Sequence, residues 1–360
     1  MLERRLPRVR LDLPPVEAVA TLGDSYLFVQ GPPGSGKTWQ GAKMAVALMR
    51  AGKRVGVTSL SHKAINKLLQ EIEREAREQG FAFKGRKKST SGNEESRYEG
   101  SFVDWRDRWA DLLDDGLQLV AGTAWLFARE DFVGHLHTLF IDEAGQVDLL
   151  GEDETVPPER GIFLEQTWRL RPEICAFTSE AYYEGRLLPA AVSARRTLAA
   201  GDGLFVEEIQ HAGRSQSSRE EADAVAAAIR ALLGTSFTDE SGVARPIRPD
   251  DVLVVAPYNA QVRRLRQRLP AGVRVGTVDK FQGQEAPVVF VSMASSTAED
   301  APRGIGFAFD RHRVNVATSR AQCRVVLVCA PRLLDADCKS VEQMRLVNAV
   351  CRFVELAERV

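Results

Sequence analysis

The sequence predicts an α/β protein of two units, each organised around a parallel sheet. Short apolar runs alternate with amphipathic stretches along the 360 residues, the pattern of strands joined by crossover helices. A Gly-rich turn, GPPGSGKT at 31–38, separates the first apolar run from the first helical pattern. A later apolar run, TLFI at 138–141, ends on two adjacent carboxylates, Asp142 and Glu143.

YLFVQ (26–30) reads as a buried strand, followed by the Gly-rich turn and a helix reaching about Met49. RVGVTS (54–59) is the next strand, and HKAINKLLQEIEREA (62–76) carries apolar residues at helical spacing. LQLVAGT (117–123) and LHTLFIDE (136–143) complete the strands of this unit. Inside the stretch 80–115, KGRKKSTSGNEESRYEG (84–100) is polar and poor in large apolar residues, so it is expected to be a mobile insertion. Its Lys84, Arg86, Lys87 and Lys88 are expected to face solvent, with contact to phosphates as the alternative. GEDETVPPERG (151–161) has the composition of a linker, dividing the chain into a first unit at 1–150, a linker at 151–160 and a second unit at 161–360. In the second unit the strands are DVLVVAP (251–257), VRVGTV (273–278), VVFVSMA (288–294) and RVVLVCA (324–330), with helices at 218–233, 259–269 and 341–358.

The length suits about two domains, and 44% hydrophobic residues suffice for cores of ordinary size. A net charge of −1 gives no global basic field, but a local groove can bind a strand while the whole-chain sum hides its charge. Cys175, Cys323, Cys329, Cys338 and Cys351 form no CxxC and no Cys/His cluster of metal spacing, so they read as reduced thiols. The sequence has no long apolar run able to span a membrane, and MLERRLPRVRLDLPP lacks the apolar core of a signal peptide. A cytoplasmic location without a membrane partner is therefore expected.

GPPGSGKT fits G-x-x-x-x-G-K-[ST] and stands after a strand and before a helix, where the motif must be. In such a loop Gly31, Gly34 and Gly36, with Pro32, Pro33 and Ser35 between them, curl the backbone so that N–H groups face phosphate oxygens. Lys37 is expected at the β and γ phosphates, and Thr38 on Mg²⁺ through its hydroxyl. Asp142 at the end of its strand suits Mg²⁺ held through water, and Glu143 beside it suits a base that orients and deprotonates the attacking water.

The second unit narrows the reading. QTWRLRPEI (166–174), VVAPYNAQ (254–261), VGTVDKFQGQEAPVVFVS (275–292) and RVNVATSRAQ (313–322) follow GPPGSGKT and DEAGQ in order. Together they resemble superfamily 1B helicases, the group of the nonsense-mediated-decay RNA helicase, over about Tyr26–Pro331. Closest in character are bacterial proteins that join a RecB-like nuclease to such a helicase. No nuclease segment is expected ahead of a phosphate loop that begins by residue 31.

The resemblance implies two RecA-like P-loop domains using ATP and Mg²⁺, moving 5′ to 3′ on single-stranded DNA, with RNA as the alternative strand. It assigns arginine fingers to Arg169 and Arg320, adenine stacking to Trp168, and a place near the nucleotide sugar to Glu285 in a loop shaped by Gln282 and Gly283. Gln146, closing DEAGQ, joins the nucleotide contacts. Strand contacts fall on Ser59, Ser61, His62 and Thr123 in the first domain, and on Tyr258, Asn259 and Thr277 in the second. A nuclease partner, or a nuclease fused in relatives, and a role in DNA repair follow by the same analogy.

Two features depart from the family pattern. A strand ending in a Gly-Asp-Pro-x-Gln-Leu-type loop is missing, because only 27 positions separate Asp142 from Arg169 and a βαβ unit needs roughly 30 residues or more. Its loss is expected to leave a gap in the first sheet or to force the flanking strands together. LDLPPVEAVATLGDS also offers no Gln to read adenine, which leaves the preference for ATP over other NTPs open. The competing reading is a nucleotide-dependent nucleic-acid clamp with impaired hydrolysis. A P-loop kinase or transporter ATPase has no use for VDKFQGQE and NVATSRA in a second unit.

Overall fold

The computed structural model describes residues 6–59, 61–142, 155–281 and 284–360. Contacts divide the chain into two compact units, residues 1–31 with 36–164 and residues 32–35 with 165–360. Glu143, Gln146, Gln282, Gly283 and positions 151–154 of the expected linker lie outside the described residues.

In the first unit the strands are β1 (Phe28–Gln30), β2 (Val55–Thr58), β3 (Gly85–Lys88), β4 (Val103–Arg106), β5 (Leu119–Ala121), β6 (Thr138–Ile141) and β7 (Gly161–Phe163). Five of them form a parallel sheet in the order β4-β3-β5-β2-β6. The helix His62–Glu78 starts where Ser61 Oγ accepts from Ala64 N at 3.1 Å. It buries Ile65, Leu68, Leu69, Ile72 and Ala76, a stripe at helical spacing. This stripe meets Ala45, Leu48 and Met49 of the helix Lys37–Arg50 and Val55, Val57 and Leu119 of the sheet.

β1 stands apart from the five-stranded sheet. It pairs in parallel with β7, Val29 opposite Ile162, so Gly161–Phe163 group with the first unit. Gln30 Oε1 also accepts from Val156 N at 2.6 Å. Among the described residues no strand bridges β1 and β6; residues 143–154 of the short Asp142–Arg169 interval lie outside them. β6 is therefore an edge strand, and its Leu139 and Ile141 are 39% and 57% exposed.

The polar stretch 84–100 is built into the fold, against expectation. β3 and β4 extend the parallel sheet beyond β5. Two buried charges explain how a polar sequence does this. Glu73, on the helix, accepts backbone N–H groups of Ser101, Phe102 and Val103 at 3.1, 2.8 and 2.9 Å. Lys87 is fully buried and donates to Asn66 Oδ1 at 2.6 Å and to Ser96 O. Arg86 pairs with Asp104 at 3.1 Å and Lys84 with Asp114 at 3.0 Å, so neither is an uncommitted surface charge.

The second unit carries β8 (Gly203–Glu208), β9 (Val252–Val255), β10 (Arg274–Gly276), β11 (Ala286–Ser292), β12 (Ala321–Cys329) and β13 (Glu358–Arg359). They form one parallel sheet in the order β10-β9-β11-β12-β8-β13. β11 is buried along its whole length, as the near-continuous apolar run of a parallel strand requires. Helices Arg219–Leu232 and Asn259–Arg268 cover it with Val225, Ile229, Val262 and Leu265, and Val341–Leu356 adds Phe353 against Phe177. Glu221 is buried and accepts from Ser292 Oγ at 2.6 Å and Ala294 N at 2.9 Å, fixing the turn after β11. Cys175, Cys323 and Cys329 are buried free thiols, and burial pushes Cys175 up to about 12. No described helix is long and apolar enough to cross a membrane.

Candidate functional site

β1 leads into the Gly-rich loop, and the helix that follows begins at Lys37 with Gly36 as its N-cap residue. Gly34 and Gly36 adopt φ of 77° and 80°, the left-handed region that L side chains avoid. At Gly36 a Cβ would meet nothing within 4 Å. At Gly34 it would lie 2.5 Å from Arg169 Cβ and 2.7 Å from Thr167 Oγ1, so that position has neither the angle nor the room for a side chain.

Ser35 Oγ is buried in the loop and has no hydrogen-bond partner among the described residues, while Ser35 N donates to Pro32 O at 3.1 Å. Lys37 Nζ donates to Gly31 O. A buried hydroxyl without a partner, left-handed glycines and a helix N-terminus together suit a polyphosphate. Thr38 occupies the first turn of this helix. Asp142 lies just past β6, and its backbone N–H donates to Thr58 O at 2.9 Å beside the end of β2. Thr38 and Asp142 carry side-chain oxygens of the kind Mg²⁺ takes as ligands.

In the second unit Thr167 Oγ1 donates to Pro33 O at 2.9 Å, and Trp168 N donates to Gly34 O at 3.0 Å. Trp168 is 54% exposed, leaving its ring accessible to a base. Arg169 donates from Nε to Glu285 Oε2 at 2.5 Å and from Nη1 to Ser319 O at 3.2 Å. Arg320 is buried and donates to Gln284 O at 3.0 Å. The fold thus brings Arg169, Glu285 and the Ser319–Arg320 segment together from three separated motifs. Burial would raise the Glu285 carboxyl; the Arg169 charge, with hydrogen bonds from Arg169 and Gln322, outweighs it and holds the group below its ordinary value.

Arg196 is a site residue with no signal in the sequence. Its buried guanidinium donates to Trp168 O at 3.0 Å and Arg169 O at 2.9 Å, and pairs with Glu240 at 2.8 Å. Outside any motif, an arginine reads as a surface charge. Here it holds the backbone that carries Trp168 and Arg169.

The expected strand contacts divide by environment. Ser59 is buried with its hydroxyl unpartnered among the described residues, and Ser61 serves as the helix cap. His62 is half-buried; burial first, then the nearby Lys87 and Lys88 charges, lower its pKa. Thr123 is the N-cap residue of a short helix, Ala124–Phe127. Tyr258 is buried with its ring 5.4 Å from that of Phe307, and Asn259 is exposed at the start of its helix. Thr277 is half-buried, its carbonyl accepting from Lys280 N at 3.1 Å. Phe307, outside the quoted motifs, also has Arg303 and Arg313 over its ring at 4.7 and 4.2 Å.

A left-handed glycine loop between strand and helix, in a chain of parallel α/β units, defines a P-loop nucleotide-binding protein. Two AAA-domain family models match the chain, one over residues 148–332 and one over residues 14–154. The first covers just over half of the chain, which belongs to the AAA-domain family. A "Regulator of nonsense transcripts 1 homolog" of Arabidopsis thaliana is 30% identical over 188 residues, 48% of this chain and 15% of that protein. The "Putative helicase mov-10-B.1" of Danio rerio is 30% identical over 203 residues, 48% of this chain and 20% of that protein. The chain thus spans a fifth or less of the length of these two relatives. Among solved structures, arterivirus nonstructural protein 10, a helicase in complex with DNA, aligns with 86% of this chain and 62% of its own at a TM-score of 0.43 and 13% identity.

Proposed function

We propose that this chain is an ATP-dependent helicase or translocase that couples hydrolysis to movement along single-stranded DNA, 5′ to 3′. One observation carries the reading: the backbone of Gly34 lies so close to Arg169 that a Cβ there would be 2.5 Å from the arginine's own. An arginine held against a phosphate loop stabilises the charge that builds on the γ-phosphate during transfer. In this scheme Lys37 neutralises the β and γ phosphates, Thr38 and Asp142 hold Mg²⁺, and Glu143 orients and deprotonates water. Arg320 is the second finger, Trp168 stacks on adenine, and Gln146, Gln282, Gly283 and Glu285 line the nucleotide. Ser59, Ser61, His62, Thr123, Tyr258, Asn259 and Thr277 hold the strand through its backbone. A cytoplasmic site of action, a role in DNA repair and a nuclease partner rest on the motif resemblance.

The test is ATP hydrolysis by purified protein with single-stranded DNA, with single-stranded RNA and with neither, using Lys37→Ala as the blank. Stimulation by DNA that vanishes in the variant supports the proposal, and stimulation by RNA alone would change the strand.

A second reading is favoured by the position of β1, paired with β7 and outside the five-stranded sheet. With the strand that leads into the phosphate loop not paired to the sheet that carries Asp142, the protein would act as a clamp that closes on nucleotide without efficient hydrolysis. Nucleotide and DNA binding without turnover would support the clamp over the motor.

A further inference from the structure

Trp125 has an environment unlike that of most other tryptophans in the chain. Lys43 lies over Trp39 at 3.8 Å, Arg97 over Trp105 at 4.8 Å and Arg129 over Trp109 at 3.9 Å. Trp125 is 85% exposed, and among the described residues no cation or aromatic ring lies over it. The turn bearing it is nevertheless firmly held. Leu126 beside it is buried with Leu112, Leu117, Val120 and Phe132, and Leu126 N donates to Thr123 O at 2.9 Å. A rigid turn thus presents a bare indole.

Its position follows from the strand register. β5 pairs with β2, Val57 opposite Ala121, and Gly122 N donates to Val57 O at 3.1 Å. β3 lies on the other side of β5, Lys87 opposite Ala121, so Lys88 ends its strand beside Gly122. β6 follows β2, and Asp142 N donates to Thr58 O at 2.9 Å. Along one carboxyl edge of the sheet therefore run Lys88, then Thr123 and Trp125, then Ser59 and His62, then Asp142. Adjacent strands sit about 4.8 Å apart, so the β5 and β6 ends are separated by about 10 Å. Ligands of open parallel sheets bind outside this edge.

We propose that Trp125 is a base-stacking platform for single-stranded nucleic acid, with Lys88 and the hydroxyl of Thr123 facing the backbone. The inference rests on the helicase reading and adds to it a residue that takes a base. A ring beside a cation and a hydroxyl is the chemistry that holds a strand without reading its sequence. A protein partner would be favoured by a wider apolar patch, whereas this ring follows Thr123, the N-cap residue of its helix, on the strand end where Lys88 lies beside Gly122.

The experiment is fluorescence anisotropy with a labelled oligo-dT and with a strand of equal length in which abasic sites replace the bases, using the wild-type chain, Trp125→Ala and Trp125→Phe. We expect Trp125→Ala to bind oligo-dT about tenfold more weakly than wild type, with Trp125→Phe recovering most of the loss. On the abasic strand the three proteins should bind alike. Wild-type affinity of Trp125→Ala for oligo-dT would overturn the inference while leaving the helicase reading intact. An equal loss on both strands would also overturn it, assigning the ring to the backbone or to the fold. A self-association seen by gel filtration and abolished in Trp125→Ala, with DNA binding unchanged, would make the ring a contact between copies instead. If the wild type binds neither strand, both the inference and the helicase reading fall.

Discussion

Arg169 Nε and Glu285 Oε2 meet at 2.5 Å although the residues are 116 positions apart, so the TWRLRP arginine is held by the FQGQE carboxylate. In the proposed finger role, the guanidinium supplies charge stabilisation that matters only as phosphate charge develops. Arg169→Ala is expected to lower the ATP turnover number by about 10²–10³ with a smaller change in nucleotide affinity. Arg169→Lys should recover little, because one ammonium cannot serve Glu285 and Ser319 O in the fork geometry. Steady-state kinetics checks both, and near-normal turnover in Arg169→Ala would remove it from the finger role.

The same pair sets an acid limit. Since the folded Glu285 carboxyl lies below its ordinary value of 4.5, its stabilising effect is present above that value and fades as pH falls through the lower folded value. Glu285→Gln should therefore reduce urea stability at pH 7 more than at about pH 3. A pH-independent difference would show that the ion pair is not its source.

Gly34 and Gly36 share a left-handed backbone but not their surroundings, which allows angle and space to be separated. Gly36→Ala meets no neighbour and should cost only the dihedral penalty, about 1–2 kcal/mol. Gly34→Ala adds a collision with Arg169 and Thr167 and should cost more, with the larger loss of nucleotide affinity. Urea denaturation and titration with a fluorescent ATP analogue measure the two effects, and equal costs would show that the Arg169 contact yields freely.

Glu73 gathers three backbone N–H groups and the Tyr98 hydroxyl, the last at 3.3 Å. Glu73→Ala leaves those donors buried without an acceptor and is expected to destabilise the chain by about 3 kcal/mol or more. Glu73→Gln, which keeps one acceptor oxygen, should lose less. Amide exchange at Ser101–Val103 should accelerate in Glu73→Ala, and unchanged protection there would contradict the anchoring role.

Lys87 gives a test at alkaline pH. Burial pushes its amine from 10.5 down to about 8. Between those values the unfolded chain keeps a proton that the folded chain has released, so stability from this group rises with pH across the window. Lys87→Met should flatten the rise. Urea midpoints at pH 7.5, 9 and 10 for both proteins provide the check, and parallel curves would refute the assignment.

Much of the fold could be read from local pattern. The apolar runs at 54–59 and 251–257 became β2 and β9, and the stripe from Ile65 to Ala76 became a buried helix face. Strands β3 and β4 were not legible, because GRKK and VDWR carry the charge of a solvated loop and are ordered by contacts from elsewhere in the chain, among them Glu73 and the Asn66–Lys87 bond. β8 was missed as well, since GLFVEE has only four residues buried before its two glutamates.

The sequence by itself determined the phosphate loop, the order of the motifs and most strands, because glycine dihedrals, helical periodicity and apolar runs act over a few residues. Tertiary structure alone decided that β1 joins β7, that Arg196 buttresses Trp168 and Arg169, and that Trp125 stays bare while Lys87 is buried. Those outcomes depend on which groups arrive beside a residue, from nine positions away for Lys87 and Ser96 to more than a hundred for β1 and β7, and such pairing leaves no periodic trace in the chain.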